Sequence, residues 1–312
     1  MRRRLQYWRA FTRDGHPATT PKPIDIIETL VNARQRNIDR HWECQNGMTV
    51  LAHPAPSKNE PVVILDRVRT GNYPSAGDAN GNRRRIPLGR GEVLLEPTYV
   101  MFLEEGYIAV LTGGDGPHAQ RLAEYLRIKF NADWWLEPVL RDNLDEVLEE
   151  MRITEISISV PADLISRDLV GGDWYQALEA GKQLTEDGMV RIGLSVGQKG
   201  DRSFKEQMSE KYHDLVSSLR QAIGLQDFKT ASVMGVRNGN RQMINLIEDQ
   251  LVESVDVEDD KWFDSDKSVE YATNILRREV SQGPHKNKKI DAIRGADVIA
   301  FDSRRSDGPE TD

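Results

Sequence analysis

The 312-residue sequence is poorest in the residues that hold a chain together covalently or through a metal: it has one cysteine, Cys44. A lone cysteine excludes an internal disulfide and cannot by itself hold zinc; Cys44 reads as a small, half-buried residue in a strand around Trp42. Histidines stand at positions 16, 41, 53, 118, 213 and 285, with no HxH or HxxxH pair, so metal-ligand spacing is missing as well. No run of about 18 apolar residues occurs, which removes a transmembrane helix. The opening MRRRLQYWRAF is basic, but Arg9 and Arg13 interrupt the apolar stretch that a signal peptide needs, so a cytoplasmic protein is expected. A P-loop is absent too. Gly113-Gly114-Asp115-Gly116 lacks the Lys-Ser/Thr that would hold a nucleotide and its magnesium, and reads as a strand-to-helix turn. No catalytic residue, metal or cofactor is assigned.

What the chain does have is charge, unevenly spread. Apolar residues make up 38% and charged residues 29%, an ordinary soluble composition, and the net charge is −8. Residues 1–90 hold 16 Lys and Arg against 8 Asp and Glu, whereas the remainder holds 26 against 42. Such polarity points to a polyanionic partner, with a merely lopsided solvated surface as the plain alternative. Thr70 to Gly91 combines five glycines and two prolines with Arg83, Arg84, Arg85 and Arg90, and reads as a long, mobile basic loop. Arginine suits phosphate there, because its guanidinium fork grips two oxygens while a glycine-rich arm adapts to the backbone. Further candidates for DNA contact are Arg34 and Arg36, near the end of a helix expected over residues 24–37. Lys199 and Arg202 join them from a second basic, glycine-bearing turn.

The most legible stretch is Thr98 to Arg141. Two apolar runs, Tyr99–Leu103 and Tyr107–Leu111, flank Glu104-Glu105-Gly106, which predicts a hairpin. Both runs are apolar at nearly every position, so each strand is expected to be covered on both faces. Asp115 is placed to cap a helix carrying Leu122, Tyr125, Leu126 and Phe130. Farther on, Ser203 and Glu206 have capping-box spacing before a stripe of Met208, Tyr212, Leu215, Val216 and Leu219. The expected class is α+β, with two domains of mixed or antiparallel sheets packed against helices. A basic domain would span residues 1–152 and include the mobile loop 70–91. An acidic domain would span 153–284, and a polar tail 285–312.

Residues 253–270 contain eight carboxylates against two lysines. Asp256, Glu258 and Lys261 could serve a metal-dependent nuclease, although an acidic run is more often a solvated face. The same run could also mimic DNA and dock on the basic third of the chain.

FLEEGYIAVLTGGDGPHAQRLAEYL followed by WLEPVLRDNLDEVLEEMRITEISISVPADLI resembles the middle of the RexA-like phage exclusion proteins. The likeness lies in the order of elements over Thr98 to Ile165. It implies a two-domain α+β homodimer that binds double-stranded DNA without strong sequence preference, with an architecture similar to the RdgC recombination-associated proteins. The role implied is the sensor component of a prophage-encoded abortive-infection system, with a separate membrane protein of the RexB type as effector. The family supplies no catalytic site to carry over. The overall acidity departs from it, since only the N-terminal third offers positive charge. The alternatives are a metal-dependent nuclease of a defence system and a protein-interaction module that binds no DNA.

Overall fold

The computed structural model describes residues 1–12, 16–33, 40–44, 47–55, 61–69, 76–77, 83–84, 86, 88–113, 116–165, 172–185, 188–196, 202–223, 228–262 and 267–282. In chain order these form β1 (Arg2–Phe11), α1 (Pro23–Val31), β2 (His41–Glu43), β3 (Thr49–Pro54), β4 (Val62–Arg69), β5 (Ala76–Gly77), β6 (Arg83–Arg84) and β7 (Leu94–Phe102). There follow β8 (Tyr107–Thr112), α2 (Gln120–Phe130), β9 (Trp135–Pro138), α3 (Leu144–Glu150), β10 (Arg152–Pro161), α4 (Gly172–Lys182) and β11 (Met189–Ser195). The chain closes with α5 (Arg202–Ile223), β12 (Thr230–Arg237), β13 (Asn240–Asn245), β14 (Val252–Asp256), α6 (Asp259–Trp262) and α7 (Ser268–Gln282). The fold is α+β, as the sequence predicts. Two compact units divide it: Met1–Leu5 with Thr12–Trp134 and Glu253–Asp312, and Gln6–Phe11 with Trp135–Val252.

In the first unit the strands lie in the order β14-β1-β8-β7-β4-β3-β2. The β7–β8 pair is the predicted hairpin, antiparallel from Thr98↔Thr112 to Phe102↔Ile108. It reverses through a 3-10 turn in which Gly106 has φ 78, and Glu105 also lies in the left-handed region at φ 56. Tyr99–Leu103 and Ile108–Leu111 are buried throughout, so these strands are indeed covered on both faces. On one face Phe102 meets the edge of Trp134 at 6.1 Å. On the other, Tyr99 meets the edge of Trp262 at 5.4 Å, and α7 packs against β7 and β8. Ala272, Ile275, Leu276 and Val280, at helical spacing, are the buried stripe of α7.

Residues 253–262 and 267–282 therefore contribute to this fold through buried Val255, Val257, Trp262 and the α7 stripe, while Asp256, Glu258, Asp259 and Asp260 stay exposed to solvent, as expected of an acidic run. Asp256 pairs with Arg2 at 3.4 Å and Glu258 with Lys261 at 2.7 Å, so two of the carboxylates considered for a nuclease are engaged in surface ion pairs.

Local differences from the sequence reading have clear causes. Helix α1 ends at Val31, and its buried residues are Ile26, Thr29 and Leu30, leaving Val31 exposed. Ile24, Ile26, Ile27, Leu30 and Val31 offer two overlapping stripes, and the one containing Ile26 faces the core. The N-cap of α2 is Ala119, without a side-chain cap, and Asp115, expected to cap this helix, lies outside the described residues. Loop 70–91 is not bare of secondary structure: Ala76 pairs with Arg84 and Gly77 with Arg83.

The second unit contains the antiparallel sheet β11-β10-β12-β13, and β9 paired antiparallel with Trp8–Phe11 of β1. Asn238 and Gly239, both at positive φ (51° and 80°), make the two-residue turn between β12 and β13. Helix α5 lays Tyr212, Val216 and Leu219 on Ile156, Ile158, Val160 and Val233, and Trp174 and Leu178 of α4 join the same core. A buried polar network fixes α5. Arg220 Nη2 donates to Pro138 O at 2.6 Å and pairs with Asp145 at 2.7 Å, and Arg220 Nη1 lies 3.4 Å from Glu137. Ser217 donates to the other Glu137 oxygen at 2.6 Å.

Candidate nucleic-acid interface

The arginines singled out from the sequence fall into three groups. Arg83 and Arg84 form β6, the second strand of the small hairpin, and Arg90 stands exposed on the turn that precedes β7. Arg202 opens α5. Arg34, Arg36, Arg85 and Lys199 lie outside the described residues. Arg4 and Arg90 are both exposed and form no ion pair among the described residues.

A surface that the sequence reading did not single out lies in the second unit. Core residues Ile153, Ile156, Ile158 and Val160 of β10 all face α4 and α5, so the alternate residues form the opposite face of the sheet. No helix is packed there among the described residues. Register defines its rows. Arg191 stands opposite Ser159, which stands opposite Thr230; in the next row come Gly193, Ser157 and Ser232. The third row is Ser195, Glu155, Met234 and Met243, and beyond a bulge Arg152, Val236 and Arg241 complete the face.

Its chemistry is small, hydroxylated and basic. The Ser159 and Thr230 hydroxyls share a hydrogen bond of 2.8 Å. A Cβ built on Gly193 would meet nothing within 4 Å, so the middle of the face is open. Arg152, Arg191 and Arg241 are all exposed, and none makes a hydrogen bond or ion pair among the described residues. The one carboxylate on the face is Glu155. In sequence these positions look like ordinary solvent-facing alternation, and only the placement of the helices shows that they form one face without a helix on it among the described residues, open except at Ser159, which is 4% exposed.

Comparison of the chain with family models, curated proteins and solved structures gives no match.

Two glycine patterns bear on function. Gly193-Leu194-Ser195-Val196-Gly197 has the spacing of a hydrolase nucleophile elbow, a motif that the sequence reading wrongly counts as absent. Ser195 ends β11 and α5 begins at Arg202, and residues 197–201 between them lie outside the described residues. The Gly113–Gly116 turn follows a strand that is antiparallel to its neighbour. A Cβ on Gly116 would come within 2.4 Å of Thr98 Oγ1 and 2.7 Å of Pro97 O. Close packing accounts for that glycine without a phosphate. Among the described residues, no group of three or more His, Cys, Asp or Glu could hold a metal ion.

Proposed function

We propose that this protein binds double-stranded DNA through its phosphates, without sequence preference and without catalysing a reaction on it. Its biological role would be that of a cytoplasmic, homodimeric sensor in a prophage-encoded phage exclusion system, with a separate membrane protein as effector. The observation that carries the binding reading is the segregation of charge: the first 90 residues hold 16 basic against 8 acidic side chains in a chain of net charge −8. Arg83, Arg84 and Arg90, with Arg4 exposed on β1, supply guanidinium groups suited to phosphate oxygens. The defence role and the dimer rest on the resemblance to RexA-like proteins. No described helix is long and apolar enough to cross a membrane.

The test is a gel-shift titration at several salt concentrations, comparing the natural chain with an Arg83→Ala, Arg84→Ala, Arg85→Ala variant. Each phosphate contact removed should lower the slope of log K against log salt by about 0.9. An unchanged slope removes the loop from the mechanism. Cleavage of plasmid in the presence of Mg²⁺ or Mn²⁺ would favour the nuclease reading instead.

A further inference from the structure

We infer that the uncovered face of the β11-β10-β12-β13 sheet is a second duplex-DNA contact surface, which grips phosphates through Arg152, Arg191 and Arg241. The inference rests on the DNA-binding reading above but uses none of the residues that carry it.

Charge complementarity selects the partner. Three exposed arginines without partners among the described residues face one carboxylate, Glu155, so the face is cationic although the chain as a whole is acidic. Unpaired guanidinium groups beside serine and threonine hydroxyls are the donor set that contacts phosphate and sugar oxygens. Their spacing fits as well. Arg191 stands opposite Ser159, while Arg152 lies seven residues earlier on β10, which at the rise of a strand is roughly 20 Å. A duplex rises about 3.4 Å per base pair along its axis, so that span corresponds to about six base pairs of duplex length.

Composition decides between duplex and single strand. Proteins that hold single strands without sequence preference stack the bases on aromatic side chains, and no Phe, Tyr or Trp stands on this face. In a duplex the bases already stack on one another, and the phosphates present themselves to a flat, hydroxylated surface. Gly193 and the serines in the middle rows leave room for a backbone to approach.

The experiment measures binding of the full chain to a short mixed-sequence duplex, by fluorescence anisotropy over a range of salt. One variant is Arg152→Ala, Arg191→Ala, Arg241→Ala. A second, Gly193→Glu, places a carboxylate at a position where a Cβ meets nothing within 4 Å, so it can alter the surface charge without disturbing the fold. The triple variant should lower the salt slope by about 2.7, and Gly193→Glu should weaken binding about tenfold or more at low salt. Natural chain that binds DNA alongside two variants of natural slope and affinity would overturn this surface and leave the N-terminal reading standing. Absence of binding by the natural chain at low salt would overturn both. Loss of single-strand affinity alone would overturn the duplex assignment. If Gly193→Glu halves the molar mass in light scattering while duplex binding persists, the face joins two copies of the chain and the inference fails.

Discussion

At the scale of single residues, the interior of the second unit contains a polar cluster that can be broken more easily than replaced. The Glu137 side chain is 8% exposed and that of Arg220 is 14% exposed, so loss of either would strand the other away from water. We expect Arg220→Ala to lower unfolding free energy in urea by about 3–5 kcal/mol. A double change of Arg220 and Glu137 to apolar residues of similar size should cost less, because the more deeply buried carboxylate is removed with its partner and only the more exposed Asp145 loses its arginine. Titration offers a second check. Burial pushes the Cys44 thiol up to about 11 and the Tyr99 phenol up to about 12. Unfolded, the two groups ionise near 9 and 10, so above those values the unfolded chain releases protons that the folded chain keeps. Stability should therefore be intact at neutral pH, decline as pH rises past about 9, and decline further past about 10. Thermal unfolding midpoints across that range test the sign, and Cys44→Ser should remove the earlier part of the decline.

At the scale of elements, legibility followed the strength of the local signal. The β7–β8 hairpin could be read because two continuous apolar runs bracket a glycine, and α5 because its stripe is regular over several turns. Where the pattern allowed two answers, packing chose. Helix α1 carries enough isoleucine and leucine for either of two faces, and sequence cannot say which meets the sheet. The glycines at 113 and 116 show the same limit. A turn was predicted, but the reason for glycine at 116, a close approach to Pro97 and Thr98, requires tertiary structure. Gly116→Ala should cost about 1–3 kcal/mol through overpacking, measurable as a lower denaturant midpoint with an unchanged m-value. The cationic sheet face was hidden for a related reason. Ser, Gly, Met and Arg alternating with apolar residues is what any half-exposed strand looks like, and exposure becomes informative only once the helices are seen on the other side.

At the scale of the whole chain, the polarity of charge was plain in the sequence, but the role of the acidic stretch was not. A segment rich in carboxylates reads as a detachable cover. Here its tryptophan packs on Tyr99, and the helix that follows buries four apolar residues. Removing residues 268–282 should consequently abolish cooperative unfolding of the first unit, followed by near-ultraviolet circular dichroism, instead of tightening DNA binding. A deletion variant that unfolds cooperatively and binds DNA more strongly would restore the idea of a removable inhibitor. Composition also misleads about where a proposed phosphate surface can lie, since three arginines without partners among the described residues stand in the part of the chain that is acidic on balance.

The discontinuity of the first unit has a consequence for how the protein is made. Strands β7 and β8 leave the ribosome roughly 150 residues before α7, which at about 5–20 residues per second is a delay of about 10–30 s. During that time one side of a fully apolar hairpin has no lasting cover. Newly synthesised chains should thus depend on chaperones that hold nascent polypeptide, and should be most prone to aggregate when translation stalls between Thr112 and Ser268.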